Sequence, residues 1–265
     1  LDLERSAKVS GSRFFFLRDE LAILQMALMN WAFLEIQKLG FSPTIPPFMV
    51  REEAMYGTGF FPADKNEIYS VNPGEDDLFL IGTSEVPLTS YHADEILNAD
   101  ELPKRFAGYS PCFRREAASY GKDTKGILRV HQFEKIEMVA VCAPEDSPKI
   151  HEEMREVEEK LLQMLGIPYR VVLIAAGDLG GSAVKYDLEA WLPGQGRFRE
   201  MTSTSNCTDF QARRLGIRVR QPNGETVIAH TLNGTAVSSR PLIAILENFQ
   251  NADGSVDIPE VLWPF

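Results

Sequence analysis

The residues best suited to chemistry lie in one hairpin-like stretch. FAGYSPCFRRE (106–116) runs into the loop AASYGKDTKG and returns as ILRVHQFEKIEM (127–138). On an extended strand, residues two apart share a face, so Arg114 and Glu116 are expected to point the same way, with Arg129 joining them from the return strand. A permanently charged, planar guanidinium on a rigid strand suits a phosphate oxygen, because its fork donates two aligned hydrogen bonds. Phe133 could lie flat against a base. Glu137 falls inside the apolar stretch from Ile136 to Val141, where an unpaired carboxylate is costly, so it needs a cationic partner, with a ligand among the candidates. The same charge pattern also fits a plain strand pair with cross-strand ion pairs.

Two further segments offer polar groups. FREMTSTSN (198–206) sets Glu200 before a series of hydroxyls and an Asn. Such hard oxygens suit Mg²⁺, which usually takes one or two carboxylates and completes its shell with substrate phosphates. In AHTLNGTAVSSR (229–240), strand alternation places Thr231, Asn233 and Thr235 on one face, with Gly234 permitting close approach and Arg240 opening the last helix. Phosphate-loop, dinucleotide-turn and nucleophile-elbow patterns do not occur, so any phosphate would be held by arginines and metal.

These segments need a scaffold. Apolar residues at spacings of three and four (Leu21, Leu24, Leu28, Trp31, Leu34) predict a helix over 18–38, stopped by Gly40. Ser147, Pro148 and Gly166 bracket a second over 147–165, with Ile150, Met154, Val157, Leu161 and Leu165 as its stripe. A third is expected over 241–251, and a short one near Ser84. Strand-like runs at 105–114, 127–142, 169–175, 197–204 and 226–232 lack regular alternation with the helices. That predicts an α+β fold, a mostly antiparallel sheet flanked by helices, as one domain spanning 1–265.

Bulk properties agree. The chain has 265 residues, 44% of them hydrophobic and 25% charged, enough for a large core and unlike a disordered chain. No apolar run reaches the roughly 20 residues needed to cross a bilayer, and no secretory leader pattern is present. Three dispersed cysteines and four histidines form no zinc or disulfide pattern, and the expected setting is a reducing cytoplasm. A net charge of −11 argues against a protein that grips nucleic acid mainly through a basic surface. Local basic clusters stand at Arg114, Arg115, Lys122, Lys125 and Arg129, and at Arg213, Arg214, Arg218 and Arg220.

Taken together, LDLERSAKVSGSRFFFL, GFSPTIPP, MYGTGFFP, GTSEVPL, CFRREAASYGKDTKGILRVHQFEKIEM, SNCTDFQARR and TLNGTA with its following arginine occur in an order that resembles the class II aminoacyl-tRNA synthetases, specifically the seryl-tRNA synthetases. The resemblance runs nearly end to end. It implies activation of L-serine with ATP to seryl-adenylate, transfer to the 3′ end of tRNA(Ser), Mg²⁺ as metal, and a homodimer formed through the first motif near Pro47. Thr83 and Glu85 would line the serine pocket, Arg114 would hold the α-phosphate and the serine carboxylate, and Glu116 would lie on ATP. Val130 and Phe133 would pack on adenine, with Arg240 on its other face and Arg129 towards the γ-phosphate. Glu137 would take the serine ammonium and hydroxyl, Glu200 and Ser203 would hold Mg²⁺ and ATP, and Asn233 and Thr235 would complete the serine site. The loop from Ala117 to Gly126 would guide the tRNA acceptor end.

Two departures stand out. Ser238-Ser239-Arg240 is one residue shorter than the usual spacing to that arginine. The family's N-terminal coiled-coil arm, which grips the tRNA, lies outside these 265 residues. Two other readings follow: an armless ligase that loads serine on a carrier protein or metabolite, and a non-catalytic paralogue. The first would be expected to carry a Cys/His metal site, and the second to lose Arg114, Glu137 or Glu200, which are all present.

Overall fold

A computed structural model describes residues 1–117 and 126–265. In chain order the helices and strands are α1 (Leu3–Ser10), α2 (Glu20–Lys38), β1 (Ser42–Thr44), β2 (Met49–Arg51), α3 (Glu52–Thr58), β3 (Ser70–Val71), β4 (Leu78–Leu80), α4 (Glu85–Thr89) and β5 (Ile96–Asn98). They continue with β6 (Lys104–Phe113), β7 (Gln132–Cys142), α5 (Ser147–Met164), β8 (Tyr169–Leu173), β9 (Val184–Leu192) and β10 (Arg197–Thr208). The chain ends through α6 (Phe210–Leu215), β11 (Arg218–Arg220), β12 (Thr226–Ile228), β13 (His230–Ser238) and α7 (Pro241–Asn248).

The centre is a seven-stranded sheet in the order β1-β6-β7-β13-β10-β9-β8. Every neighbouring pair is antiparallel except β1 with β6. The expected α+β class, a mostly antiparallel sheet flanked by helices, is what the chain adopts. One face of this sheet packs against α2, α5 and α7. Met138, Ala140 and Cys142 of β7, Leu188, Ala190 and Leu192 of β9, and Leu232 and Ala236 of β13 meet Leu28, Trp31, Met154, Leu161, Leu242 and Ile245 there. Trp31 is 1% exposed, and burying an aromatic of this size contributes about 2–3 kcal/mol before cavity effects. The alternate residues of the same strands face the other way, towards α3, α4 and α6, and carry the polar groups described below.

The two long helices fall where the apolar spacing predicts them. On α2 the buried stripe drifts, however: Leu24, Leu28, Trp31, Ala32 and Ile36 are buried, while Leu34 is 40% exposed. On α5 the expected stripe is buried, and so is a glutamate, Glu158. The last helix stops at Asn248, three residues early, where the Asn248 amide donates to Trp191 O (3.0 Å) and Ala244 O (2.8 Å). Residues 126–131 turn rather than extend, so the return strand starts at Gln132. The single strand expected over 226–232 is two strands in different sheets, β12 beside β11 and β13 in the central sheet. Strand β9 and the short helices α1 and α3 have no counterpart among the expected elements. No described helix is long and apolar enough to cross a membrane.

Candidate functional site

The polar face of the sheet brings together two carboxylates, one buried and one half-buried. Glu137, on β7, is 2% exposed and forms an ion pair with Lys135, two residues earlier on the same strand and 6% exposed. Lys135 Nζ also donates to Thr83 Oγ1 at 2.7 Å. Thr235, directly opposite Glu137 on β13, donates its hydroxyl to the same Glu137 oxygen, Oε2 (3.2 Å). The cation that the apolar stretch demanded is therefore internal. The K-x-E spacing on one strand face carried that signal, and sequence reasoning overlooked it.

The second carboxylate is Glu85, at the start of α4. Its Oε1 accepts from Gln211 Nε2 (2.7 Å) and Asn233 Nδ2 (2.9 Å). Burial, and then the negative charge of Glu137, push its pKa up to about 7; the Gln211 hydrogen bond and the cations Lys135 and Arg114 pull the other way. Gln211 lies in the SNCTDFQARR segment, where sequence reasoning assigns it no role. It is 2% exposed, and its second amide contact reaches Thr58 O (3.1 Å), while its carbonyl accepts from Thr231 Oγ1 (2.7 Å). With all its groups committed, the amide can sit only one way round. Thr231, Asn233 and Thr235 share one strand face as expected, and each meets a different member of this network.

Beside Glu85 lies a polar hollow of about 180 Å³, lined among others by Asn233, Ser205, Cys207, Gln211 and Thr58. The Cys207 thiol is pushed up to about 12 by burial and by Glu85, so it stays protonated. Gly108 lets α4 approach β6 closely: a Cβ there would meet Leu88 Cδ1 at 2.5 Å and Ser84 Oγ at 2.9 Å. Ser84 Oγ donates to Gly108 O (3.0 Å), which seats the turn that presents Thr83 and Glu85.

Arg114 follows the last residue of β6. Its Nε donates to Gly82 O (3.2 Å) and its guanidinium lies over the Phe133 ring, 5.2 Å from the centroid. Stacking and one hydrogen bond fix the plane of the fork, and among the described residues no protein acceptor takes its two terminal nitrogens. Arg114 and Glu116 were expected on one extended strand, but β6 ends at Phe113 and Glu116 has φ 51°. The backbone turns there because Arg114 N donates to His131 O and Arg115 N to Glu67 O. The expected company survives through the side chain: Arg129 Nη1 reaches Glu116 Oε2 at 3.1 Å. Val130 is buried at 4% exposure. Lys122 and Lys125, and most of the loop from Ala117 to Gly126, lie outside the described residues.

At the other end of the site, a β-bulge between Glu200 and Thr202 interrupts the pairing of β10 with β9. Met201 and Thr202 both turn towards the helices, and Glu200 and Ser203 face the opposite side. Ser203 pairs with Asp187, whose carboxyl is pushed up to about 6 by burial and by Glu200. Burial works to raise Glu200 as well, but Arg240, Lys185 and Arg114 outweigh it and hold its carboxyl below the ordinary value. Arg240 reaches Glu200 twice, Nη1 to the backbone oxygen (3.1 Å) and to Oε1 (3.3 Å). The shortened Ser238-Ser239-Arg240 segment is fixed by reciprocal bonds between Ser239 and the Glu134 backbone (3.1 and 3.3 Å). Among the described residues no three His, Cys, Asp or Glu side chains gather closely enough to hold a metal unaided. One ionised carboxylate, a hydroxyl and a nearby acid fit a hard cation whose remaining ligands come from phosphate or water.

Comparison with known proteins places this arrangement. Residues 67–249 match the family described as tRNA synthetase class II core domain (G, H, P, S and T). The chain is 55% identical to the serine–tRNA ligases of Mycolicibacterium vanbaalenii and Thermobifida fusca over its whole length, and spans 63% of the length of each. Among solved structures it superposes with TM-score 0.96 on seryl-tRNA synthetase from Pyrococcus horikoshii complexed with ATP, at 52% identity, covering 100% of this chain and 59% of that one. A cytoplasmic serine–tRNA ligase from Naegleria fowleri in complex with AMP gives 0.93 at 42%, covering 98% and 62%. A prolyl-tRNA synthetase from Giardia lamblia, 19% identical, shares the fold at 0.86 over 98% of this chain and 53% of its own. A family match over residues 67–249, more than half of the chain, shows that this chain belongs to the class II tRNA synthetase core-domain family.

Proposed function

We propose that this chain activates L-serine with ATP, forming seryl-adenylate and pyrophosphate, and passes serine to the 3′ end of tRNA(Ser). The observation that carries the choice of amino acid is the division of the two carboxylates. Glu137 commits Oε2 to Lys135 and Thr235, and Glu85 commits Oε1 to Gln211 and Asn233. Each keeps one oxygen for a ligand, and serine brings two donors, an ammonium and a hydroxyl. The relatives named as serine–tRNA ligases, and the ATP and AMP complexes of the two similar structures, support the same reading.

In this reading the serine carboxylate, already ionised at neutral pH, attacks the α-phosphorus and no general base is required. The stacked Arg114 fork binds the α-phosphate and the attacking carboxylate, so its charge is in place before the phosphorus becomes five-coordinate. Phe133, Val130 and Arg240 form the adenine side, and Glu116 and Arg129 the polyphosphate side. Glu200 and Ser203 would hold Mg²⁺, which supplies charge neutralisation for the phosphates. Thr83, Glu85, Glu137, Asn233 and Thr235 form the serine pocket. A site built to bond a hydroxyl rejects the analogue lacking it by about 10⁴–10⁵-fold, because its polar groups are left unpaired.

We further propose a single catalytic domain over 1–265, working as a homodimer in the cytoplasm. An apolar groove of about 830 Å³ carries Ile23 (64% exposed), Met26 (74%) and Ile45 (69%) from α2 and the segment after β1, an uncovered face suited to a second copy. The test is chemical: incubated with ATP and amino acid and then quenched, the chain should yield seryl-adenylate by mass spectrometry. Recovery of prolyl- or threonyl-adenylate instead would assign the pocket to another member of the family.

A further inference from the structure

One buried acid plays no part in the site described so far. Glu158 lies on the core face of α5 and is 0% exposed. Its Oε2 accepts from Thr202 Oγ1 at 2.8 Å, but its Oε1 is buried with no hydrogen-bond partner. Burial pushes its pKa well above the carboxylate range, and Glu137, through the sheet, adds to the shift. Oε1 fills the space beneath β13 that only a glycine leaves open. A Cβ on Gly234 would meet Glu158 Oε1 at 2.8 Å and Thr204 Oγ1 at 2.9 Å.

A half-satisfied carboxyl in a core is unfavourable for stability, since burying a polar group without a partner costs free energy and an apolar side chain of similar volume would not. Groups that break the rules of a core in this way tend to mark function. What Glu158 touches indicates which. Thr202 is the first residue after the bulge in β10. In a regular strand, Glu200 and Thr202 would share a face, and Glu200 would be driven against α5. The extra residue, Met201, puts Thr202 on the helix face and Glu200 on the site face with Ser203. Bulges need anchoring, because the extra residue has no ladder partner of its own.

We propose that Glu158 is a positioning residue: its hydrogen bond to Thr202, made from below the sheet, pins the bulge that turns Glu200 onto the nucleotide side of the site. This rests on the proposed function only in assigning Glu200 to ATP. The adjacent bond from Thr204 Oγ1 to Asn233 O (3.1 Å) ties the same stretch of β10 to β13, so the strand is anchored at two points directly after the bulge.

The test separates positioning from ordinary packing. Glu158→Met fills the space without the acceptor, Glu158→Gln keeps an acceptor for Thr202, and Thr202→Val removes the donor. Thermal midpoint and calorimetric Kd for ATP with Mg²⁺ and for serine are measured on each. The expected result is a midpoint unchanged or raised in Glu158→Met, with ATP affinity about tenfold weaker and serine affinity unmoved, since one lost or misdirected polar contact commonly costs that factor. Thr202→Val should match it, the double variant should be no worse than either single, and Glu158→Gln should restore most of the ATP affinity. A lowered midpoint with both ligands weakened in proportion would reduce Glu158 to a structural residue, and unchanged ATP affinity would overturn the proposal. Amide hydrogen exchange over 199–204, read without ligand, should quicken in Glu158→Met and Thr202→Val. It decides the pinning even if the unaltered chain binds no ATP, a result that would count against the proposed function instead.

Discussion

Lys135 Nζ bridges Thr83 and Glu137, 2.7 Å from the threonine hydroxyl and ion-paired with the carboxylate, all three residues at 6% exposure or less. An intramolecular ammonium thus neutralises a carboxylate that the strand buries, and it does so from two residues away on the same face.

Lys135→Met should therefore weaken serine binding while leaving ATP binding nearly unchanged. Removing one partner of a buried pair leaves an uncompensated charge, a loss commonly of about 3–5 kcal/mol. Urea denaturation should show destabilisation of that order. Serine calorimetry should show at least a tenfold weaker Kd, and equal serine affinity in the variant would mean that Lys135 serves only the fold.

Serine affinity should depend on pH through Glu85. Its pKa near 7 means that near pH 6 the free pocket holds a proton on Glu85, which an incoming ammonium must displace. Binding should release protons below pH 7 and tighten as pH rises through 7. Calorimetry in buffers of different ionisation enthalpy measures this directly, and Glu85→Gln should abolish the proton release together with most of the affinity.

Gln211→Leu removes the donor that opposes the upward shift of Glu85, and leaves Thr231 without its acceptor. The pH at which serine binding tightens should move upward, and the affinity at pH 7 should fall. A profile superimposable on that of the unaltered chain would show that Asn233 alone orients Glu85.

Gly108→Ala places a methyl 2.5 Å from Leu88 Cδ1 and 2.9 Å from Ser84 Oγ. Overpacking of this kind costs about 1–3 kcal/mol, and the α4 turn must move outward. Urea midpoints should fall accordingly, and serine binding should weaken more than ATP binding, because Thr83 and Glu85 ride on that turn.

Much of the scaffold was legible because α2 and α5 carry long apolar stripes and the central strands alternate. The polar face was half legible. Thr231, Asn233 and Thr235 could be placed by a period of two, and Arg114 by its charge in an apolar strand. The spacing failed where the backbone departs from regularity, at the end of β6 before Arg114. Lys135 and Gln211 escaped notice because their importance lies in what they touch across the sheet: Gln211 meets Glu85 from 126 residues away in sequence. Nothing in its spacing distinguishes Glu158 from the other glutamates of α5, and only its burial against Thr202 sets it apart.

The claim that two half-committed carboxylates read an ammonium and a hydroxyl is tested most directly by amino-acid-dependent exchange of pyrophosphate into ATP. Serine should support exchange, alanine should fall about 10⁴-fold or more below it, and Arg114→Ala should abolish exchange with serine. Exchange with alanine within tenfold of serine, or none with any amino acid, would contradict it.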